Sequence, residues 1–205
     1  MRLEFCLFLL VLSNFLLLAT PRITQMTKYT ALQGLLLAFL LFLFEHTVLT
    51  VAVLLIKGLL LPGLLWHTEK RLPADSLVCP RRLVALDVIA GMAGLAFSIW
   101  LDARLVMTHD LFPPLFLPLG LTTLFCGLIL IIGRIKAITQ VIGYLVAENG
   151  IFLLGMPLMT QGTTWFELAL LLDVFVAVFV MGIAINHISD SFASIDVARF
   201  RSLRD

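Results

Sequence analysis

Charge is scarce in this 205-residue chain: 13% of its residues are Asp, Glu, Lys or Arg, and 61% are hydrophobic. A soluble domain would carry about 25% charged residues. With a mean hydropathy of +1.09, the composition excludes an ordinary water-soluble globule and points to an integral membrane protein. The net charge of +1 leaves no basic stripe to neutralise phosphates, so nucleic acid is not an expected partner. Cysteine is equally sparse. Cys6, Cys79 and Cys126 stand far apart, without the paired spacings of a zinc or iron–sulfur site, and three thiols cannot make a four-thiolate cluster. His46, His67, His109 and His187 fall at or beyond the ends of the apolar runs, so no mid-membrane pair is placed to hold a haem. No Gly-rich phosphate loop occurs, and no Ser/His/Asp or Cys/His set shares an extramembrane domain. The alternating apolar–polar pattern of a membrane β-barrel is missing too.

What the chain has is long apolar runs. Runs long enough to cross about 30 Å of hydrocarbon as helix fall near 3–20, 29–45, 47–66, 83–101, 112–133, 138–159 and 166–187. The expected fold is an all-α membrane protein of about seven transmembrane helices. The first run resembles a signal peptide, but Glu4 lies in its charged region and no small-x-small site precedes Pro21, so it is expected to remain as a helix. Seven spans put Arg22, Lys28, Lys70, Arg71, Arg81, Arg82, Arg134, Lys136, Arg199, Arg201 and Arg204 on one side, against Arg2 and Arg104 on the other. That split predicts an outer N-terminus and a cytoplasmic C-terminus.

Helices 1–3 and 5–7 read as two parallel copies of one unit, with helix 4 as spacer. Gln33 stands in helix 2 about where Glu148 stands in helix 6, and Lys57 and Asp173 follow them at nearly equal distances. The expected organisation is a three-helix unit over 1–66, a cytoplasmic loop and spacer helix over 67–111, a second three-helix unit over 112–187 and a cytoplasmic tail over 188–205. That tail is amphipathic enough for a short docking helix; a solvated end is the alternative.

Three ionisable residues interrupt the apolar runs: Lys57, Glu148 and Asp173. Each costs about 2.5–3.5 kcal/mol at a helix centre on insertion scales, so such residues face protein, a partner or water. Tyr144 and Glu148 share a helix face at i,i+4, beside a strip of Gly143, Ala147 and Gly150 that admits a close neighbouring helix. A carboxyl sheltered there either loads and releases a proton or, permanently protonated, donates one structural hydrogen bond. Asp173 either exchanges protons with the outer side or pairs statically with Lys57. Lys57 precedes Gly58, and Pro62 has no N–H for the Gly58 carbonyl, so a kinked, wet helix is expected at Gly58–Pro62. Asp87, near the cytoplasmic end of helix 4, is either a proton-uptake residue or an interfacial charge.

The segments Gly143-Tyr144-Leu145-x-x-Glu148-Asn149-Gly150, Asp173-x-Phe175-x-Ala177-Val178-x-Val180-Met181, Ile195-Asp196-Val197 and Lys57-x-Leu59-Leu60-x-Pro62 resemble the E-type membrane component of hydrogenase-4 and formate hydrogenlyase-type complexes. Helices 5–7 also resemble the K-type small component of respiratory complex I and the C-type component of multisubunit Na⁺/H⁺ antiporters. In the K-type proteins, carboxylates on the second and third helices belong to the proton pathway; Glu148 takes the first of those roles, and Asp173, an Asp where those proteins carry Glu, the second.

The resemblance implies a non-redox membrane subunit of a group 4 [NiFe]-hydrogenase-like, energy-converting complex in a bacterial or archaeal cytoplasmic membrane. Its path for protons or Na⁺ would use Glu148, Asp173, Lys57, Tyr144 and Asp87. The chain itself would hold no cofactor; the NiFe centre and iron–sulfur clusters would reside in peripheral hydrogenase or other redox subunits. Antiporter-like subunits, a complex I-like membrane anchor subunit and lipid would be its neighbours. An independent secondary transporter of a small solute or ion, or a purely structural spacer subunit, are the alternatives.

Overall fold

The computed structural model describes residues 2–44, 47–69, 81–105, 115–134 and 136–157. Regular structure among them is helical. Helix α1 (Arg2–Ala19) turns at Thr20–Pro21 into α2 (Ile23–Leu43). A third rod, residues 47–69, comprises α3 (Thr47–Val53), a π-helical segment (Leu54–Leu60) and α4 (Leu61–Glu69). Then come α5 (Arg81–Arg104), α6 (Phe116–Gly133) and α7 (Ala137–Gly155). Among the described residues, five helices are long and apolar enough to cross a membrane: Ile23–Leu43, Thr50–His67, Val84–Arg104, Phe116–Gly133 and Ile138–Gly155, with Leu3–Ala19 a shorter apolar helix. The expected spans from 3–20 to 138–159 each meet one of these. The expected seventh span, 166–187, and the tail lie outside the described residues.

Two boundaries differ from hydropathy. Helix α2 begins at Ile23 rather than near residue 29. Within its polar first turns Thr27 and Thr30 satisfy their hydroxyls on the Ile23 and Met26 carbonyls, one turn earlier. Helix α6 begins at Phe116, after Leu115 in the left-handed region at φ 77°. Pro118 falls in the first turn of α6, where a missing N–H breaks no helical bond.

The glycine strip on α7 does what its spacing implies. A Cβ on Gly127 of α6 would run into the Ala147 backbone, and one on Gly143 would come within 2.9 Å of the Gly127 carbonyl oxygen. A Cβ on Gly150 would strike the Leu124 backbone. Small residues on both helices thus let α6 and α7 meet backbone to backbone. Helix α7 is central, with 72% of its span buried; α5 is peripheral, with 17%, and turns Leu86, Ile89, Met92, Ile99 and Trp100 outward.

The buried side chains form two apolar layers with a polar layer between. At the end carrying Arg134, Leu17 and Leu18 pack with Ile23, Met26, Leu61, Leu65, Leu130 and Ile142. At the opposite end, Leu7 and Leu10 pack with Leu37, Leu41, Val53, Phe116, Phe152 and Leu153. Between them lie buried polar groups from α1, α2, the Lys57 rod, α6 and α7: Asn14, Gln33, Lys57, Thr123, and Glu148 with Asn149.

The expected kink at Gly58–Pro62 takes the form of a π segment within a continuous rod. In α register the Gly58 carbonyl would look to Pro62 for a donor that proline lacks. In π register donors come from five residues on, and Leu61 N–H donates to Ile56 O. Widening the helix is one of the ways membrane helices accommodate proline, and such turns recur at functional sites.

Candidate functional site

The polar layer is joined by side-chain bonds. Lys57 Nζ lies 2.6 Å from Glu148 Oε1, both side chains about 95% buried (4% and 5% exposed). Lys57 Nζ also donates to Asn149 Oδ1 at 3.2 Å, and sits 4.9 Å from the centre of the Phe152 ring. From Asn149 the bonds continue across the bundle. Asn149 Nδ2 donates to Gln33 Oε1 at 3.3 Å, and Gln33 Nε2 to Asn14 Oδ1 at 2.7 Å. Asn14 Nδ2 donates to Thr123 Oγ1 at 2.8 Å, and that hydroxyl donates to the Leu119 carbonyl at 2.8 Å. Five rods are thereby tied together at one level. Every donor points the same way, from the ammonium outward to a backbone carbonyl, so the bonds polarise one another.

Local sequence places these groups. Gln33 is ten residues into α2 and Glu148 eleven residues into α7, about 15 Å along each helix from its start. Gly34 brings α2 against the π segment: a Cβ there would land on the Lys57 carbonyl. Glu148 and Asn149, adjacent on α7, both face inward and hold Lys57 between them.

A second buried pair lies at one end of the bundle. Arg134, the residue that closes α6, is 1% exposed. Its Nη2 donates to the Leu18 carbonyl of α1 at 3.0 Å and lies 3.0 Å from Asp87 Oδ2 of α5. A cation there meets the negative ends of two helices. Gly133 makes room for the carboxylate, since its Cβ would come 2.9 Å from Asp87 Oδ1.

Of the residues singled out in sequence, Lys57 and Glu148 are in direct contact. Tyr144 lies one turn before Glu148 and packs partly buried against the apolar layer. Gly58 and Pro62 lie on the Lys57 rod, Gly58 within the π segment. Asp87 is neither at the polar layer's bonded chain nor solvated: it is buried and paired with Arg134. Asp173 lies outside the described residues. Sequence reasoning missed Asn14 and Thr123, used Arg134 only as one of the basic residues on the cytoplasmic side, and used Gln33 only as a mark of repetition. One signal was there to be read. The chain has two tyrosines, Tyr29 and Tyr144, each four residues before the inward polar residue of its helix, and both pack against the same apolar layer.

Chemically, the pair can trade a proton between ammonium and carboxylate. The amides cannot pass one on without adopting the imidic-acid tautomer, so they position and polarise. Among the described residues no group of three His, Cys, Asp or Glu side chains could hold a metal ion.

An uncharacterized protein of Mycobacterium tuberculosis, Rv0085, is similar: 29% identical over 167 residues, covering 76% of this chain and 71% of that protein. No protein-family model matches the chain, and no solved structure matches it.

Proposed function

We propose that this chain is a non-redox membrane subunit of a hydrogenase-4 or formate hydrogenlyase-like energy-converting complex, and that its Lys57–Glu148 pair is part of an ion-translocation path. The observation that carries the proposal is the 2.6 Å contact between an ammonium and a carboxylate, both about 95% buried, midway along apolar helices. A buried ion pair contributes little to stability compared with an apolar replacement, so a membrane protein that keeps one at its centre is using its charge. The motif resemblance around Glu148 and Lys57 supports the same role.

The proposed arrangement has a seventh helix over 166–187 that carries Asp173, an outer N-terminus and a bacterial or archaeal cytoplasmic membrane. Redox centres would lie in partner subunits. Charge arriving beside the pair would shift the proton between its members, because protonation of one group in a poorly solvated set changes the other.

The test is Glu148→Gln in the assembled complex, reconstituted or in membrane vesicles. Redox turnover stays measurable while proton translocation falls. Full translocation by the variant sinks the proposed role.

A further inference from the structure

The polar layer bears on which ion the pair can take, a question that rests on the translocation role proposed above. A Na⁺ ion is bound by several oxygens at once, and membrane transporters supply many of them from unwound backbone and half-helix ends. Here the rod stays hydrogen-bonded through the π segment, with Leu61 N–H on the Ile56 carbonyl. The oxygens that converge on the layer are those of Glu148, Asn149, Gln33, Asn14 and Thr123. Each amide oxygen already faces a donor: Asn149 Oδ1 the Lys57 ammonium, Gln33 Oε1 the Asn149 amide, Asn14 Oδ1 the Gln33 amide. The Thr123 hydroxyl accepts from Asn14 and spends its proton on Leu119 O. The Glu148 oxygen nearest the network is held by Lys57 Nζ, and the Phe152 ring lies beside the ammonium.

We propose that Lys57 is the ion-selectivity determinant of this site: its ammonium, clamped by the chain Asn149–Gln33–Asn14–Thr123, is a tethered cation occupying the place a Na⁺ ion would need. A proton needs no such cage. It passes between Lys57 Nζ and Glu148 Oε1 along the existing contact: the ammonium N–H bond breaks, a carboxyl O–H bond forms, and amine and carboxylic acid replace the ion pair. The amide chain is a clamp and not a branch of the path, since it ends on a backbone carbonyl that can release nothing. Gln33, Asn14 and Thr123 are therefore positioning residues.

The test uses the full chain in its complex and reads cation occupancy at Glu148 directly. Labelling of Glu148 by dicyclohexylcarbodiimide, located by mass spectrometry, is followed with and without Na⁺, with K⁺ holding ionic strength constant. In the wild type, Na⁺ gives no more protection than K⁺. In Lys57→Ser, Na⁺ protection appears, because carboxylate and amide oxygens lose their resident cation. Gln33→Met, which cuts the clamp and keeps the ammonium, shows weaker protection than Lys57→Ser. Binding of ²²Na⁺ to the same preparations, with Glu148→Gln as blank, is the second measurement: no Glu148-dependent binding in the wild type, and binding in Lys57→Ser. Na⁺ protection or Glu148-dependent ²²Na⁺ binding in the wild type overturns the proposal, as does a folded Lys57→Ser that binds none. Should Lys57→Ser fail to accumulate, the wild type decides. Neither readout needs ion pumping, so a full-pumping Glu148→Gln would fail the translocation role and leave the cation result standing.

Discussion

Gly34 of α2 and Lys57 of the π segment meet backbone to backbone, so that a Cβ on Gly34 would occupy the place of the Lys57 carbonyl. The backbone of the lysine is thus held by a glycine on a neighbouring helix and its head by Glu148 and Asn149. Gly34→Ala is expected to force the π segment away from α2 and to destabilise by about 1–3 kcal/mol, the usual cost of overpacking. Gly63, one residue past Pro62, has nothing within 4 Å of its missing Cβ. Gly63→Ala is therefore expected to be neutral or to gain about 0.5–1 kcal/mol from helix propensity. Thermal unfolding of the two variants in one detergent, with a fall expected for Gly34→Ala and no fall for Gly63→Ala, checks both.

Arg134 and Asp87 lead to an asymmetric prediction. Arg134 donates to the Leu18 carbonyl and pairs electrostatically with Asp87, whereas Asp87 has a 10% exposed side chain. Arg134→Met removes the partner of a buried carboxylate and the donor to the α1 end; a loss of about 3–5 kcal/mol is expected for breaking such a pair. Asp87→Asn keeps an acceptor near the guanidinium and costs less. Arg134→Met combined with Asp87→Leu is expected to be more stable than Arg134→Met alone, because no charge is left stranded. Denaturation of the three variants in parallel measures the order.

The sequence made the helices legible and left the connections illegible. Hydropathy located α2, the Lys57 rod, α5, α6 and α7, since apolar length is a property of one segment. The small residues at Gly143, Ala147 and Gly150 announced a close helix contact for the same reason. Asn14 and Thr123 escaped notice because a single amide or hydroxyl in an apolar helix is cheap to carry, and its meaning depends on what faces it from another helix. Arg134 counted in the sequence only towards the basic side of the membrane, because its burial comes from the approach of Leu18 and Asp87. The π segment was half-legible. Pro62 required some rearrangement four to five residues earlier, but sequence does not choose between a kink and a wider helix.

The amide chain should behave as one unit under mutation. Asn14→Leu leaves the Gln33 amide without its acceptor and the Thr123 hydroxyl without its donor; a buried group stranded in this way costs about 1–3 kcal/mol. Gln33→Leu strands Asn149 and Asn14 in the same manner. With both replaced, the gap is shared, so the double variant should lose less than the two singles added together. A coupling of about 0.5–3 kcal/mol between Asn14 and Gln33 is expected for directly bonded residues. Strict additivity in the double-mutant cycle would mean that the two amides are not bonded in the folded protein.

Purification offers a prediction about partners. On the proposed role, α5, whose Leu86, Ile89, Met92, Ile99 and Trp100 turn outward, would meet a partner subunit as well as lipid. Isolated in mild detergent from cells that express it at native level, the chain is expected to bring hydrogenase-like and antiporter-like polypeptides with it. Its thermal midpoint should fall when it is separated from them. Recovery as a lone, equally stable protein would favour an independent transporter.

Lys57 and Glu148 allow stability to be separated from function. Lys57→Met leaves a carboxylate at the centre of the bundle with Asn149 as its neighbour; Glu148→Leu leaves an ammonium there. Each single change should cost about 3–5 kcal/mol if the remaining group stays charged, and less if it neutralises by gaining or losing a proton. The combined Lys57→Met, Glu148→Leu variant removes both charges and fills the space with apolar atoms. Similar replacements have proved neutral or stabilising by about 1–4 kcal/mol, so the double variant should fold better than either single. It should nevertheless translocate no better than Glu148→Gln, because it has no group left to carry a proton. A purely structural pair predicts otherwise: in an assembled complex containing the stable double variant, the ratio of protons moved to electrons transferred would be unchanged. Measuring that ratio in the double variant, where misfolding no longer confuses the result, decides between a pair that holds the helices together and one that moves charge.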